Sequence, residues 1–394
     1  LTLSKHPFLS SFSSDTFNAA QSVNPHPTAK MFNRPGIASM SLGRPWIHDL
    51  PGKLMQAAAH GFEGIELFFD DLDCYAQRTF NGDHLEAARQ TRRLCERLGM
   101  TIICLQPFSM YEGLIDRAES DRLINEKLPK WFTLARALGT DMIQVPSNFL
   151  GPDPTTGAPR TTGDRAVIVR DLQRLADLGA GAGFRFVYEA LCWGDHVDTW
   201  EASWEVVRDV DRPNFGLCLD SFNIAGRVYA DPASPTGKTP NAAADLAASL
   251  QRLRTANIDP AKIFYVQLVD GERLTAPLNE DHPFHVAGQP VRMNWSRNAR
   301  LFPFEENRGG YLPILDVARV FFDDLGFRGW VSLELFSRTL ADPDPFTPAE
   351  HARRGIESYY KMGRVLQWDG QVEKNTVSIP ECLTELTSPV QHHL

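Results

Sequence analysis

"RFVYEALCWG", residues 185–194, reads as a short buried strand with a carboxylate, Glu189, set in its middle. Phe186, Val187, Tyr188, Leu191 and Cys192 are the kind of residue a strand buries on both faces. A carboxylate in such company is costly to desolvate and calls for a partner. Similar apolar runs recur on either side of it. Upstream lie "GIASMSL" (36–42), "GIELFF" (64–69), "TIICLQP" (101–107) and "MIQVPSN" (142–148). Downstream lie "NFGLCLD" (214–220), "IFYVQLVD" (263–270) and "WVSLELF" (330–336), so the strand at 185–191 is the fifth of eight.

Longer amphipathic stretches separate these runs, among them "GDHLEAARQTRRLCERLG" (82–99), "SDRLINEKLPKWFTLARALG" (120–139) and "GDRAVIVRDLQRLADLGAGAG" (163–183). Each ends on glycine, the residue that most easily adopts the left-handed turn closing a helix. Pro129, inside the second, predicts a kink or a split there. Eight strand–helix units predict an α/β fold, a (β/α)8 TIM barrel over 36–367. A doubly wound open sheet is the alternative, but no GxGxxG follows the first strand. Long loops are expected after strands six and seven, at 221–240 and 271–311, the second as a lid or a substrate wall. Residues 1–35 read as a flexible N-terminal tail and 368–394 as a C-terminal extension. Its first 30 residues are Ser-rich and carry only Lys5 and Lys30 as basic residues, without the apolar block of a secretory signal.

A net charge of −9 over 394 residues argues against a nucleic-acid or acidic-membrane partner, and no apolar run has the length of a membrane helix. The six cysteines (74, 95, 104, 192, 218 and 382) lack CxxC spacing and several lie in apolar runs, as buried free thiols do. A reducing cytoplasm suits them. The chain is compatible with a homo-oligomer.

Four polar residues interrupt the last four strands near their exits: Glu189, Asp220, Gln267 and Glu334. In a barrel these strands are neighbours, and four oxygen donors then converge on one mouth. A shared divalent cation accounts for all four and supplies the countercharge that Glu189 lacks. Three carboxylates and an amide oxygen form a hard set that favours Mg²⁺ or Mn²⁺, with Co²⁺ also suited, over a thiolate-type zinc site. The alternative for each residue taken singly is a local salt bridge or a hydrogen bond to loop backbone.

"SMSLGR" (39–44), "GIELFF", "YEALCWG", "FGLCLDSFNIAG" and "SLELF" together resemble the 3-dehydroshikimate dehydratases of the sugar-phosphate isomerase/epimerase-like (xylose isomerase-like) TIM barrels. "WGDHVDTW" (193–200), "RVYADPASPTG" (227–237) and "SRNARLFP" (296–303) strengthen the likeness. The resemblance implies a metal-dependent lyase converting 3-dehydroshikimate to protocatechuate and water through a metal-stabilised enolate, in quinate/shikimate catabolism or aromatic biosynthesis. It also implies that Ser296 and Arg300 bind substrate, the guanidinium fork suiting a carboxylate. Arg44, just after strand one, is a further candidate for the carboxylate or a hydroxyl, or else a rim salt bridge.

The base is less direct. Some relatives of that family carry a His three residues after the metal-binding Asp, where this chain has Asn223, which cannot act as a base but can hydrogen-bond a hydroxyl. His196, soon after strand five, is the nearest alternative imidazole, with His282 and His285 in the long loop behind it. Glu66 is expected to support a neighbouring group, Asp270 to orient a ligand or cap its loop, and Trp193 and Phe222 to pack the mouth. Two other functions stay open on the residues alone. A ketose isomerase or epimerase needs the same metal, and a non-catalytic metabolite-binding barrel is compatible with Asn223. An abasic-site nuclease would want a His-rich zinc cluster and a basic groove, and the chain has neither.

Overall fold

The computed structural model describes residues 32–368. Residues 1–31 of the tail expected at 1–35, residues 369–394 of the extension expected at 368–394, and Cys382 lie outside the described residues. Eight parallel strands form a closed barrel: β1 (Arg34–Ala38), β2 (Gly64–Phe68), β3 (Thr101–Gln106), β4 (Met142–Pro146), β5 (Arg185–Glu189), β6 (Phe215–Asp220), β7 (Ile263–Gln267) and β8 (Trp330–Leu333). They pair in sequence order, and β8 closes on β1 with Arg34 opposite Trp330.

The strands stop short of the apolar runs that announced them. Leu268, Val269 and Leu335 are buried but lie beyond the strand ends. Side chains take over the backbone pairing there: the Ser221 hydroxyl donates to the Val269 carbonyl at 2.9 Å and accepts from its N–H at 2.8 Å. Apolar character marks burial, and at a barrel mouth burial outlasts the ladder. At the other end β1 begins at Arg34, two residues before the expected start.

The helices follow the amphipathic stretches, with their caps where the sequence puts them. Asp83 accepts from the N–H groups of Leu85 and Glu86 at the start of His84–Arg97, each at 3.0 Å. Gly139 and Gly183 turn left-handed at the ends of two others. The stretch containing Pro129 is split as expected. Proline offers no N–H to the carbonyl of Asn125, and the chain passes through a π-turn at Leu123–Lys127 before the helix Leu128–Leu138.

Three of the described helices stand where the sequence assigns none: Phe69–Thr79, directly after β2, and Ser221–Val228 and Val291–Ala299, inside the two long loops. The first is acidic at its start and buries Asp71 against Lys53 in an ion pair of 2.5 Å, so its inward face is partly charged. At the C-terminal end, Trp368 packs on Phe322 and Tyr359, with ring centroids 4.8 and 5.2 Å apart. No helix among the described residues is long and apolar enough to cross a membrane.

The main core fills the layer between strands and helices. In the last long helix, Thr347–Val365, His351 is buried, with Nδ1 2.8 Å from the Thr347 carbonyl and Nε2 2.9 Å from the Thr339 hydroxyl. Burial depresses its pKa from 6.5 to about 4. A group that folding makes harder to protonate stabilises fully above its unfolded pKa and loses that contribution as pH falls. The wild type will therefore lose about 3 kcal/mol relative to His351→Gln between pH 6.5 and 4, measured by urea unfolding at several pH values. Parallel stability curves for the two proteins would refute it.

Candidate functional site

Inside the barrel, Cys104, Met142, Val187, Cys218 and Tyr265 form one apolar layer. Side chains along a strand alternate with period two, so the next inward position lies two residues on. There stand Gln106, Gln144, Glu189, Asp220 and Gln267, joined from β8 by Glu334, two residues beyond Ser332. One polar layer thus rests on one apolar layer, at the C-terminal mouth where barrel enzymes place their chemistry.

Within this layer Glu189, Asp220 and Glu334 are buried and offer oxygens that all lie within 4.8 Å of one another. Glu66 of β2 stands beside them. It accepts from Tyr265 Oη at 2.8 Å, Gln106 Nε2 at 2.8 Å and Gln267 Nε2 at 2.9 Å. Because the carboxylate can only accept, it fixes Gln267 with its amide nitrogen toward Glu66. The amide oxygen is left buried without a hydrogen-bond partner among the described residues.

Asp220 divides its two oxygens. Oδ1 caps the helix Ser221–Val228 by accepting from the Phe222 N–H at 2.7 Å. Oδ2 accepts from Asn223 Nδ2 at 2.8 Å and Arg300 Nη1 at 3.0 Å. Asn223 also donates to Glu189 Oε1 at 2.8 Å and accepts from the Cys192 N–H at 3.0 Å, so it ties two carboxylates together. Gln144 donates to the other oxygen of Glu189.

Among the described residues, Arg300 is the one cation in the layer. Its Nη1 reaches Glu334 Oε2 at 2.9 Å as well as Asp220, and Nε donates to Ser296 Oγ at 2.9 Å. The guanidinium lies over Phe222 and Phe336, 4.3 and 5.1 Å from their ring centroids. It gets there from the helix Val291–Ala299, which buries Trp295 completely against Phe222 at 4.6 Å. Gly271 makes this close approach feasible, since a Cβ there would sit 2.5 Å from the Trp295 ring. A two-residue antiparallel ladder, Asp270–Gly271 with Arg300–Leu301, ties the end of that helix to the barrel. The long segment after β7 is thus a structured wall.

Four buried carboxylates (Glu66, Glu189, Asp220 and Glu334) face one buried guanidinium, which leaves three charges uncompensated when all are ionised. Burial raises the pKa of Glu189 and Glu334 well above the carboxylate range, with mutual repulsion adding to the rise in Glu189. Burial also raises Asp220, and lifts Glu66 to about 7. Burial opposes the charge on Arg300, but Asp220, Glu334 and Glu189 outweigh it and hold its pKa above the ordinary value. Oxygen donors, excess negative charge and an orphaned amide oxygen fit a hard divalent cation.

The structure therefore brings Asn223, Ser296 and Arg300 to the four expected ligands. It does not bring His196 there. That ring is exposed, with Nε2 3.1 Å from the Thr161 hydroxyl, and no hydrogen bond ties it to the layer. His282 accepts from the Phe284 N–H in its own turn, and His285 makes no contact with the layer. Asp270 is a loop cap, accepting from the N–H groups of Gly271, Leu312 and Tyr311. Phe222 packs the mouth as expected, and Trp193 meets Phe149 at 6.4 Å. Arg44 stands at the rim, where Nη2 donates to the Arg297 carbonyl at 2.9 Å. Gln106 and Gln144 escape the sequence reading. Their signal is positional: each occupies the same inward register as the ligands, on strands whose runs end in Pro.

Residues 54–362 match the model of the xylose isomerase-like TIM barrel family. The chain is 46% identical over 363 residues to a Neurospora crassa protein named 3-dehydroshikimate dehydratase, covering 89% of this chain and 98% of that one. It is 35% identical over 301 residues to a Pseudomonas aeruginosa protein of the same name, covering 76% of this chain and 38% of that one. Among solved structures, a xylose isomerase-like TIM barrel/4-hydroxyphenylpyruvate dioxygenase fusion protein superposes with a TM-score of 0.64 at 29% identity, over 85% of this chain and 43% of that one. The chain spans about two-fifths of the last two proteins and nearly all of the first. The chain belongs to the xylose isomerase-like TIM-barrel family and, within it, to the group of the 3-dehydroshikimate dehydratases.

Proposed function

We propose that the protein is a hydro-lyase that dehydrates 3-dehydroshikimate to protocatechuate with a divalent cation held by Glu189, Asp220, Gln267 and Glu334. The observation that carries this reading is the oxygen-lined mouth with its uncompensated charge, in a chain 46% identical to a protein of that name. The hard donor set favours Mg²⁺, Mn²⁺ or Co²⁺. A cation bound there supplies Lewis-acid polarisation of a substrate oxygen and charge to balance an anion.

The reaction is redox-neutral: one C–H bond beside the ring ketone and one C–O bond break, and water leaves. Developing negative charge on a ring oxygen meets Arg300, whose Nη2 edge makes no hydrogen bond among the described residues. Phe222 and Phe336 pack against that guanidinium, and Ser296 fixes its Nε. Preorganised charge of this kind is typically the largest contribution to such a step. Asn223 holds Glu189 and Asp220 at their spacing and Glu66 holds Gln267 in its orientation. Arg44 faces the incoming substrate from the rim. Five described cysteines are free, which supports a reducing cytoplasm as the setting.

The test is direct. Protein stripped with EDTA and returned to Mg²⁺, Mn²⁺ or Co²⁺ is given 3-dehydroshikimate, and the near-ultraviolet band of protocatechuate is followed. Turnover is expected only with the cation. Interconversion of ketoses with 3-dehydroshikimate left untouched would replace this reading with that of a sugar isomerase, and full turnover in EDTA would remove the metal from it.

A further inference from the structure

We infer that Arg297, paired with Arg44, grips the carboxylate of the substrate at the barrel rim, while Arg300 remains with the ligand layer. This rests on the dehydratase reading and assigns the end of the substrate that the ligand layer does not address. Two arginines of one sign stand next to each other here, the Arg44 fork anchored on the Arg297 carbonyl at 2.9 Å. Neither makes a salt bridge among the described residues. Arg297 has one side-chain bond, a long one of 3.4 Å to Gln289 Oε1, and Arg44 lies 5.9 Å above the ring of the exposed Trp46.

Their electrostatics run the same way. Burial lowers the pKa of both, and the charge of Arg297 lowers Arg44 further. Asp70, in the first turn of the helix Phe69–Thr79, is the acid within the field of Arg297. It eases Arg297 but forms no ion pair with it, and among the described residues no acid forms an ion pair with Arg44. An anion seated between them relieves both the desolvation and the repulsion, and a carboxylate matches the bidentate fork.

The helix sets the spacing. Arg297 lies in the last turn of Val291–Ala299, three residues before Arg300, which leaves the helix in an extended conformation. A ring acid can place its ketone end toward Arg300 and the ligands and its carboxylate toward Arg297 and Arg44. Arg300 is unsuited to the carboxylate role, because it is buried and its Nη1 and Nε are spent on Asp220, Glu334 and Ser296. The pair then decides selectivity for an acidic ring ketone over a neutral ketose.

The test compares wild type, Arg297→Gln, Arg297→Lys and Arg44→Gln on 3-dehydroshikimate and on its methyl ester, with the cation present. For Arg297→Gln, kcat/KM on the acid is expected to fall about 10–100-fold, carried by KM, with Arg297→Lys recovering part of it. On the ester, the same variant should match wild type. An unchanged KM for the acid, or an equal loss on acid and ester, would overturn the inference, the latter by showing a structural role. Absence of any wild-type turnover would instead overturn the dehydratase reading itself, so the two failures are distinct.

Discussion

Glu189→Gln will weaken divalent-cation binding by about 100-fold or more, while the chelated protein melts no earlier than wild type. The first effect follows from removing one of three carboxylates that approach within 4.8 Å, when loss of a mere supporting contact already costs about 10–100-fold. The second follows from the crowding. In the absence of a cation the Glu189 charge is opposed by burial and then by Glu334 and Asp220, and the substitution removes that repulsion. The amide also fits the contacts. Its oxygen can still accept from Asn223, and its nitrogen can face Gln144, whose own amide oxygen is buried and unpartnered. Calorimetric titration with Mn²⁺, beside thermal melting in EDTA, separates the two. Cation binding as tight as wild type would show that Glu189 is no ligand.

Arg300→Met carries the opposite signature. It removes the only cation that the described residues supply to a layer of four buried carboxylates and leaves Asp220 and Glu334 without their ion pairs. Breaking a buried pair from one side typically costs about 3–5 kcal/mol, because the remaining charge stays buried and unpaired. For a chain of this size that is a fall of about 4–7 °C in the melting temperature of the chelated protein. Added cation should restore much of the lost stability, since it repays the same charge, but not the activity, since the Nη2 edge and the Ser296 contact are gone. Arg300→Lys is expected to recover stability better than turnover, a lysine being a point charge without the planar fork. Equal melting temperatures for wild type and Arg300→Met in EDTA would mean that the carboxylates are balanced by protons alone.

These two experiments address the question that Glu189 raises inside "RFVYEAL". A buried acid calls for a countercharge, and a bound cation is one answer available from the sequence. The structure adds a second: Arg300, eighty residues after Asp220, enters the layer from a helix without a clear amphipathic signal. Its pattern is masked because the inward residues Asn294, Ser296 and Arg300 are polar and buried together.

The same limit explains Asn223. In sequence it stands three residues after Asp220 as a departure from a histidine seen in some relatives. In space its amide bridges Glu189 and Asp220, a role that depends on the helix turning directly out of β6. His196 shows the converse. It is near Glu189 along the chain, yet the loop carries it outward to Thr161.

By itself the sequence determined the barrel and its four candidate ligands, because burial on both faces of a parallel strand and period-two alternation are written residue by residue. The closed order of strands, and the polar layer resting on Cys104, Met142, Val187, Cys218 and Tyr265, follow from that pattern once eight strands close. Only the tertiary structure decided which cation already shares the layer, that Gln267 keeps an orphaned oxygen, and that Arg297 meets Arg44 at the rim. Those facts depend on contacts between residues tens to hundreds of positions apart, which local periodicity does not encode.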